Sequence, residues 1–273
     1  METLQRLDEA SPDQCRLTLK PKTIPEDAWR VPLRLLKYKT LESTNTTAYQ
    51  LGERGSPEWT VVVADTQTKG RGRNKNKWES VKGGLWFSIL LKPRISSAKL
   101  SILQFLAANA TRQALEDETR LKIQLKWPND LVTNRGKLGG ILVESKTTVD
   151  KVAFAVIGIG INVNQRQDAL PKGAVSLLRE TRTRYERLRL LRAVVHATAS
   201  RLNDLDNPSS IMKEWWHNCI HRPFLVQITG QNETVSGITR SIDEEGALVL
   251  ETDDHNVRRI SEGTLRLLDD QSG

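Results

Sequence analysis

Apolar positions along this chain recur at two periods, and together they outline most of its elements. Leu35 to Thr40 predicts a strand. Glu42-Ser-Thr-Asn-Thr-Thr-Ala48 then offers several hydroxyl and amide N-caps for a helix running to about Arg54, where Gly55 stops it. Thr60 to Ala64 is a short β-branched apolar run that reads as a buried strand, and Leu85 to Leu91 reads as another. Between about Ala98 and Asp117, Leu100, Leu103, Leu106, Ala107, Ala110, Ala114 and Leu115 recur every three or four residues, the stripe of a helix packed on a sheet. Ile123, Leu125 and Trp127 alternate with Lys122, Gln124 and Lys126, as in a strand with one wet face. Leu138 to Lys146 and Val152 to Val163 follow as two strands about a Thr148-Val149-Asp150 turn. This order predicts an α+β fold with a mixed or mainly antiparallel sheet and flanking helices, not a doubly wound parallel one.

Helical spacing returns from Tyr185 to about Leu205 and from Ile211 to Asn218. Beyond Pro223 the period shortens. Phe224–Ile228, Glu233–Ser241, Ala247–Glu251, Val257–Ile260 and Leu265–Leu268 are short strands between Gly, Asp and Asn turns, the pattern of a barrel of about 50 residues. At the other end, Pro12, Pro21, Pro25 and Pro32 interrupt any long helix, so residues 1–37 are expected to be an arm. The expected division is therefore 1–37, 38–221 and 222–273. A winged-helix DNA-binding module needs roughly 60 residues with helical periodicity, which the arm does not supply.

Composition narrows the class. With 273 residues, 38% of them hydrophobic, the chain can bury one sizeable core and a satellite. No apolar run approaches the roughly 18 residues of a membrane span, and the start Met-Glu-Thr-Leu-Gln-Arg-Leu lacks the basic-then-apolar order of a secretory signal, so a cytoplasmic location without membrane contact is expected. Cys15 and Cys219 form no disulfide framework. His217 and His221 are spaced like metal ligands, but no glutamate follows His217 and Arg222-Pro223 ends the segment, so no metal ligand is assigned. The net charge of +8 points to an acidic partner: nucleic acid, nucleotide or acidic protein. Part of it lies between Arg179 and Arg192, scattered around a helix start rather than clustered with aromatics, as on a solvated face.

The candidate chemistry begins at Lys69-Gly-Arg-Gly-Arg-Asn-Lys-Asn-Lys-Trp78, where every second residue to Lys77 is cationic. Alternating cations also describe an edge strand or a nucleic-acid patch. Here the run lies between two core strands, and its glycines and terminal indole suit phosphates beside an aromatic base. Three further clusters accompany it: Lys126-Trp-Pro-Asn-Asp130, Arg135-Gly-Lys-Leu-Gly-Gly-Ile-Leu-Val-Glu144 and Gly158-Ile-Gly-Ile-Asn-Val-Asn164. The last is no dinucleotide fingerprint, since Val163 occupies the third glycine position.

In this order the motifs resemble the biotin protein ligase family, from about Tyr38 to Asn164 and more weakly through Arg266. The resemblance implies a class II synthetase-like catalytic core with an SH3-like C-terminal barrel. It implies that ATP, with Mg2+, activates biotin as biotinyl-5′-AMP, and that the biotinyl group passes to a lysine on the carrier domain of a biotin-dependent carboxylase. Ser43, Thr44, Asn45, Gln67, Gly70, Arg71, Lys137 and Gly139 match biotin-binding positions; Arg73, Trp78, Asn129, Asp130, Asn162 and Arg266 match ATP-binding ones. Arg71, Arg73 and Lys137 are the expected catalytic cations, because two anions must meet while charge builds on the α-phosphate. A lipoate or octanoate ligase or transferase of the same fold, or a basic nucleic-acid-binding protein, are the competing readings. Asn74-Lys75-Asn76 departs from the glycine and arginine frequent in the family, implying a stiffer loop. Many relatives also carry a DNA-binding domain, so ligase without repression is expected here, with no DNA bound and a homodimer plausible.

Overall fold

The computed structural model describes residues 22–23, 33–220, 223–230 and 233–268. Cys15, His221, Arg222 and most of the expected arm lie outside the described residues. The main sheet is built from β1 (Lys22–Thr23), β2 (Arg34–Leu41), β3 (Thr60–Gln67), β4 (Leu85–Leu91), β5 (Gln124–Lys126), β6 (Asp130–Thr133), β7 (Gly136–Thr147) and β8 (Val152–Ile161). Their order across the sheet is β1-β2-β3-β4-β8-β7-β6-β5. Only β2 and β3 pair in parallel, around the crossover helix α1 (Thr44–Glu53); every other neighbouring pair is antiparallel, so the sheet is mixed as expected. The first strand of the pattern reading starts at Arg34, so residues 34–37 belong to the sheet.

Both faces of the sheet are covered, which is why β4 is buried along its whole length. On one face α1 sits over Leu36, Tyr38, Val62, Ala64, Leu90, Phe154 and Val156. On the other, α2 (Leu100–Thr119), α4 (Arg187–Ser200) and α5 (Pro208–His217) close over the larger cluster around Phe87, Ile89, Ile157, Ile159, Leu103 and Leu106. The short α3 (Leu177–Thr181) precedes α4. The helix expected to run from Tyr185 to Leu205 is shorter, because a 3-10 segment over Leu202–Asp206 follows α4. β6 and α3 have no counterpart in the pattern reading: four residues after a proline and five after a loop are too short to show a period.

The C-terminal sheet contains β9 (Leu225–Thr229), β10 (Thr234–Ile242), β11 (Leu248–Glu251), β12 (Val257–Ile260) and β13 (Thr264–Leu267), ordered β12-β11-β10-β9-β13 and antiparallel throughout. This curled antiparallel set fits the SH3-like expectation. Its inner residues Val226, Ile228, Leu248, Leu250 and Leu265 join the larger core, and Trp127 Nε1 donates to the Gly246 carbonyl at 3.1 Å.

Candidate functional site

A cleft opens on the α1 face of the main sheet, bounded by the N-terminus of α1, the loop after β3, the β6–β7 hairpin and Gly263, Thr264 and Leu265 of the C-terminal sheet. Its floor is main chain. Gly158 and Gly160 on β8 lie opposite Leu142 and Gly140 on β7, all on one face of the pleat. A Cβ on Gly158 would fall 2.0 Å from Asn45 Oδ1, and one on Gly160 would fall 2.9 Å from Trp78 Nε1. Glycine serves here for close approach of overlying side chains. Asn45 over Gly158 and Trp78 over Gly160 mark two ends of the cleft, about 7 Å apart along the strand.

The first end is a hydroxyl and carboxamide pocket. Ser43 caps α1, its Oγ accepting from Thr46 N. Gln67 Oε1 accepts from Thr44 N at 2.7 Å and from the Thr44 hydroxyl at 3.1 Å, and Gln67 Nε2 donates to Ser80 Oγ. Ser88 Oγ, fully buried in mid-β4, lies 2.6 Å from Asn45 Oδ1 and 2.8 Å from Thr44 Oγ1. Such a cluster orders donors and acceptors around a small polar head group.

The second end is cationic and aromatic. The loop folds into a tight hairpin: Trp78 N donates to Gly70 O, Gly72 N donates to Asn76 O, and a 3-10 turn over Arg73–Lys75 makes the reversal. Asn74 takes the left-handed conformation at φ 52, which a carboxamide side chain tolerates better than most. Lys137 Nζ lies 2.6 Å from Asp130 Oδ1 and 5.0 Å from the centre of the Trp78 ring. An irregularity in the β6–β7 register, where Leu131 pairs with Gly139 but Val132 pairs with Lys137, leaves Leu138 as an extra residue. That bulge re-aims Lys137 onto the face of Gly140, into the cleft, while Leu138 stays in the core. Burial pushes the Arg73 guanidinium below the ordinary arginine value, and the negative charges of Glu262 and Asp130 counter that shift.

Of the sequence candidates, Ser43, Thr44, Asn45, Gln67, Arg71, Arg73, Trp78, Asn129, Asp130 and Lys137 line this one cleft. Gly70 and Gly139 are buried in the walls behind it. Asn162 is also buried, donating from Nδ2 to the Lys137 carbonyl at 3.4 Å. Asn129 faces the cleft but brackets β7, its Nδ2 donating to Ile141 O and its carbonyl accepting from Ile141 N. Arg266 is exposed on β13, on the opposite side of the strand from buried Leu265, and is not among the residues lining the cleft.

The pattern reading overlooks Glu144. Its carboxylate holds Arg71 through three contacts, Nε at 3.3 Å and Nη2 at 2.9 and 2.8 Å, and accepts from Asn45 Nδ2 at 2.8 Å. The Arg71 guanidinium is thus neutralised and ties the loop to α1 and β7, whereas Arg73 forms no salt bridge among the described residues. The signal available in the sequence is the even spacing of Gly140, Leu142 and Glu144, which places all three on one strand face.

Comparison with known proteins gives one consistent answer. Residues 38–162 match the pattern of the biotin/lipoate A/B protein ligase family, and residues 226–264 match the biotin protein ligase C terminal domain. The bifunctional ligase/repressor BirA of Bacillus subtilis is 33% identical over 266 residues, covering 92% of this chain and 82% of that protein. The biotin–[acetyl-CoA-carboxylase] ligase of Paracoccus denitrificans is 32% identical over 222 residues, covering 77% and 90%. Among solved structures, the biotin protein ligase from Aquifex aeolicus in complex with biotin and ATP superposes with a TM-score of 0.73 at 30% identity, covering 86% of this chain and 99% of that one.

Proposed function

The chain belongs to the biotin protein ligase family, and we propose that the cleft joins biotin to ATP and then to a carrier lysine with the residues described above. It is an ATP-dependent ligase that forms biotinyl-5′-AMP and transfers the biotinyl group to a biotin carrier domain. The observation that carries the assignment of the site is the polar pocket of Ser43, Thr44, Asn45 and Gln67 one strand period from Arg73, Lys137 and Trp78. The first end takes the ureido ring, the second the carboxylate and the nucleotide.

In the first half-reaction a biotin carboxylate oxygen attacks the α-phosphorus, a new P–O bond forms and pyrophosphate leaves. Arg73 and Lys137 oppose the growing negative charge in a partly desolvated cleft, where fixed cations act more strongly than in water. Trp78, backed by Gly140 and Gly160, supplies the aromatic face beside the nucleotide. Mg2+ would supply further positive charge to the phosphates, and Asp130 is the carboxylate in the cleft lining that could help to hold it. In the second half the carrier amine attacks the acyl carbon, AMP departs with the bonding pair, and the amine loses a proton.

The test is incubation with biotin, ATP and magnesium, with and without a carrier domain. Pyrophosphate release that depends on biotin, followed by biotinyl label on the carrier, is expected. Activation of lipoate instead of biotin would overturn the reading.

A further inference from the structure

The fold brings four arginines from separate parts of the sequence together, beside the strand that carries Lys137. Arg135, Arg166, Arg179 and Arg182 surround a shallow depression with Gln165, Gln167 and Leu178. They come from three places: the β6–β7 turn, the loop after β8, and the far end of α3. Arg182, the C-cap of α3, is held at φ 59. Two of these arginines have an acid beside them, Arg135 Nε lying 3.7 Å from Glu180 Oε2 and Arg166 Nε 3.5 Å from Asp168 Oδ1, but the positive sign still prevails. Residues 165–184 with Arg135 hold six cations, including Lys172 and Arg184, against Asp168 and Glu180 alone. The Glu180 side chain is only 8% exposed and also accepts from Thr133 Oγ1, whereas the side chains of Arg135 and Arg166 are 59% and 81% exposed.

The position of the patch matters as much as its charge. Lys137 N donates to Gly173 O at 2.8 Å, and Val175 N donates to Lys137 O at 2.9 Å. The patch-bearing loop is therefore stitched to the strand that presents Lys137 to the cleft, and Arg135 lies two residues before Lys137, about 7 Å along the chain. We infer that this arginine patch is the docking surface for an acidic face of the carrier domain whose lysine enters the cleft. The inference rests on the ligase reading. Charge complementarity supports it: the second half-reaction must bring a folded protein to the cleft, and exposed charges near a site steer such encounters. No aromatic side chain interleaves with the arginines lining the depression, so the patch offers no stacking platform of the kind that single-stranded nucleic acid uses.

The test compares the Arg166→Glu, Arg179→Glu, Arg182→Glu triple variant with a control triple, Lys92→Glu, Arg94→Glu, Lys99→Glu, which carries the same charge change on residues that do not line the cleft. The probe is the isolated biotin carrier domain of an acetyl-CoA carboxylase. The patch variant should raise the KM for the carrier about tenfold and flatten its dependence on salt. Biotin-dependent ATP–pyrophosphate exchange should stay within about twofold of the parent, and the control should leave the carrier KM unchanged. An unchanged carrier KM, an equal effect in the control, lost exchange in the patch variant, or an effect confined to binding of a DNA duplex would each overturn the inference. If the parent protein shows no biotin-dependent exchange, it is the ligase reading that fails instead.

Discussion

Arg71 and Arg73 stand two residues apart on one hairpin and experience different surroundings, so their loss should be felt differently. Arg73 is half-buried in the cleft and has no salt bridge among the described residues, and in the proposed reaction it would hold the adenylate once that forms. Arg73→Gly is expected to let biotinyl-5′-AMP escape before transfer: free adenylate in the medium should rise about tenfold without a carrier, measured by chromatography. Arg71 acts through Glu144. Replacing that carboxylate in Glu144→Gln keeps its shape but removes the charge that anchors the loop to Asn45 and α1. A charge-assisted network of this kind contributes about 1.5–3 kcal/mol, so the biotin KM should rise about tenfold or more with kcat little changed.

Among the elements, α2 contributes most to the layer opposite the cleft, and Leu103 on it is fully buried in the larger core. Leu103→Ala should lower stability by about 2–5 kcal/mol, read as a reduced urea midpoint at constant slope. Long elements with one strong period were legible from the residues alone. The run of N-cap candidates from Glu42 to Ala48, of which Ser43 is the one used, and the stop at Gly55 locate α1, and the apolar runs of β4 and β8 mark the sheet centre. The cationic loop and the Lys137 cluster were legible as chemistry. The bulge at Leu138 was not, because an extra residue shifts the alternation without changing composition. Glu144 was missed for a similar reason: an acid in a strand looks solvent-facing until a partner from another element meets it.

At the scale of the whole molecule, the C-terminal sheet is joined to the catalytic layer by a shared core and supplies Gly263 to Leu265 as one wall of the cleft. The joint narrows at Gly246, held at φ 85, where a Cβ would fall 2.3 Å from Phe105 on α2. Gly246→Ala should therefore loosen the two parts together, lowering stability by about 1–3 kcal/mol and raising the KM for ATP, checked by denaturation and initial rates. The bare peptide floor under Asn45 and Trp78 carries an evolutionary corollary. At Gly158 and Gly160 β8 has nothing to trim or exchange, and any substitution at either can only add atoms to a space that Asn45 and Trp78 already fill. Drift toward other acyl groups must therefore run through the overhanging residues of α1 and the hairpin, leaving the strand itself a fixed reference plane across descendants.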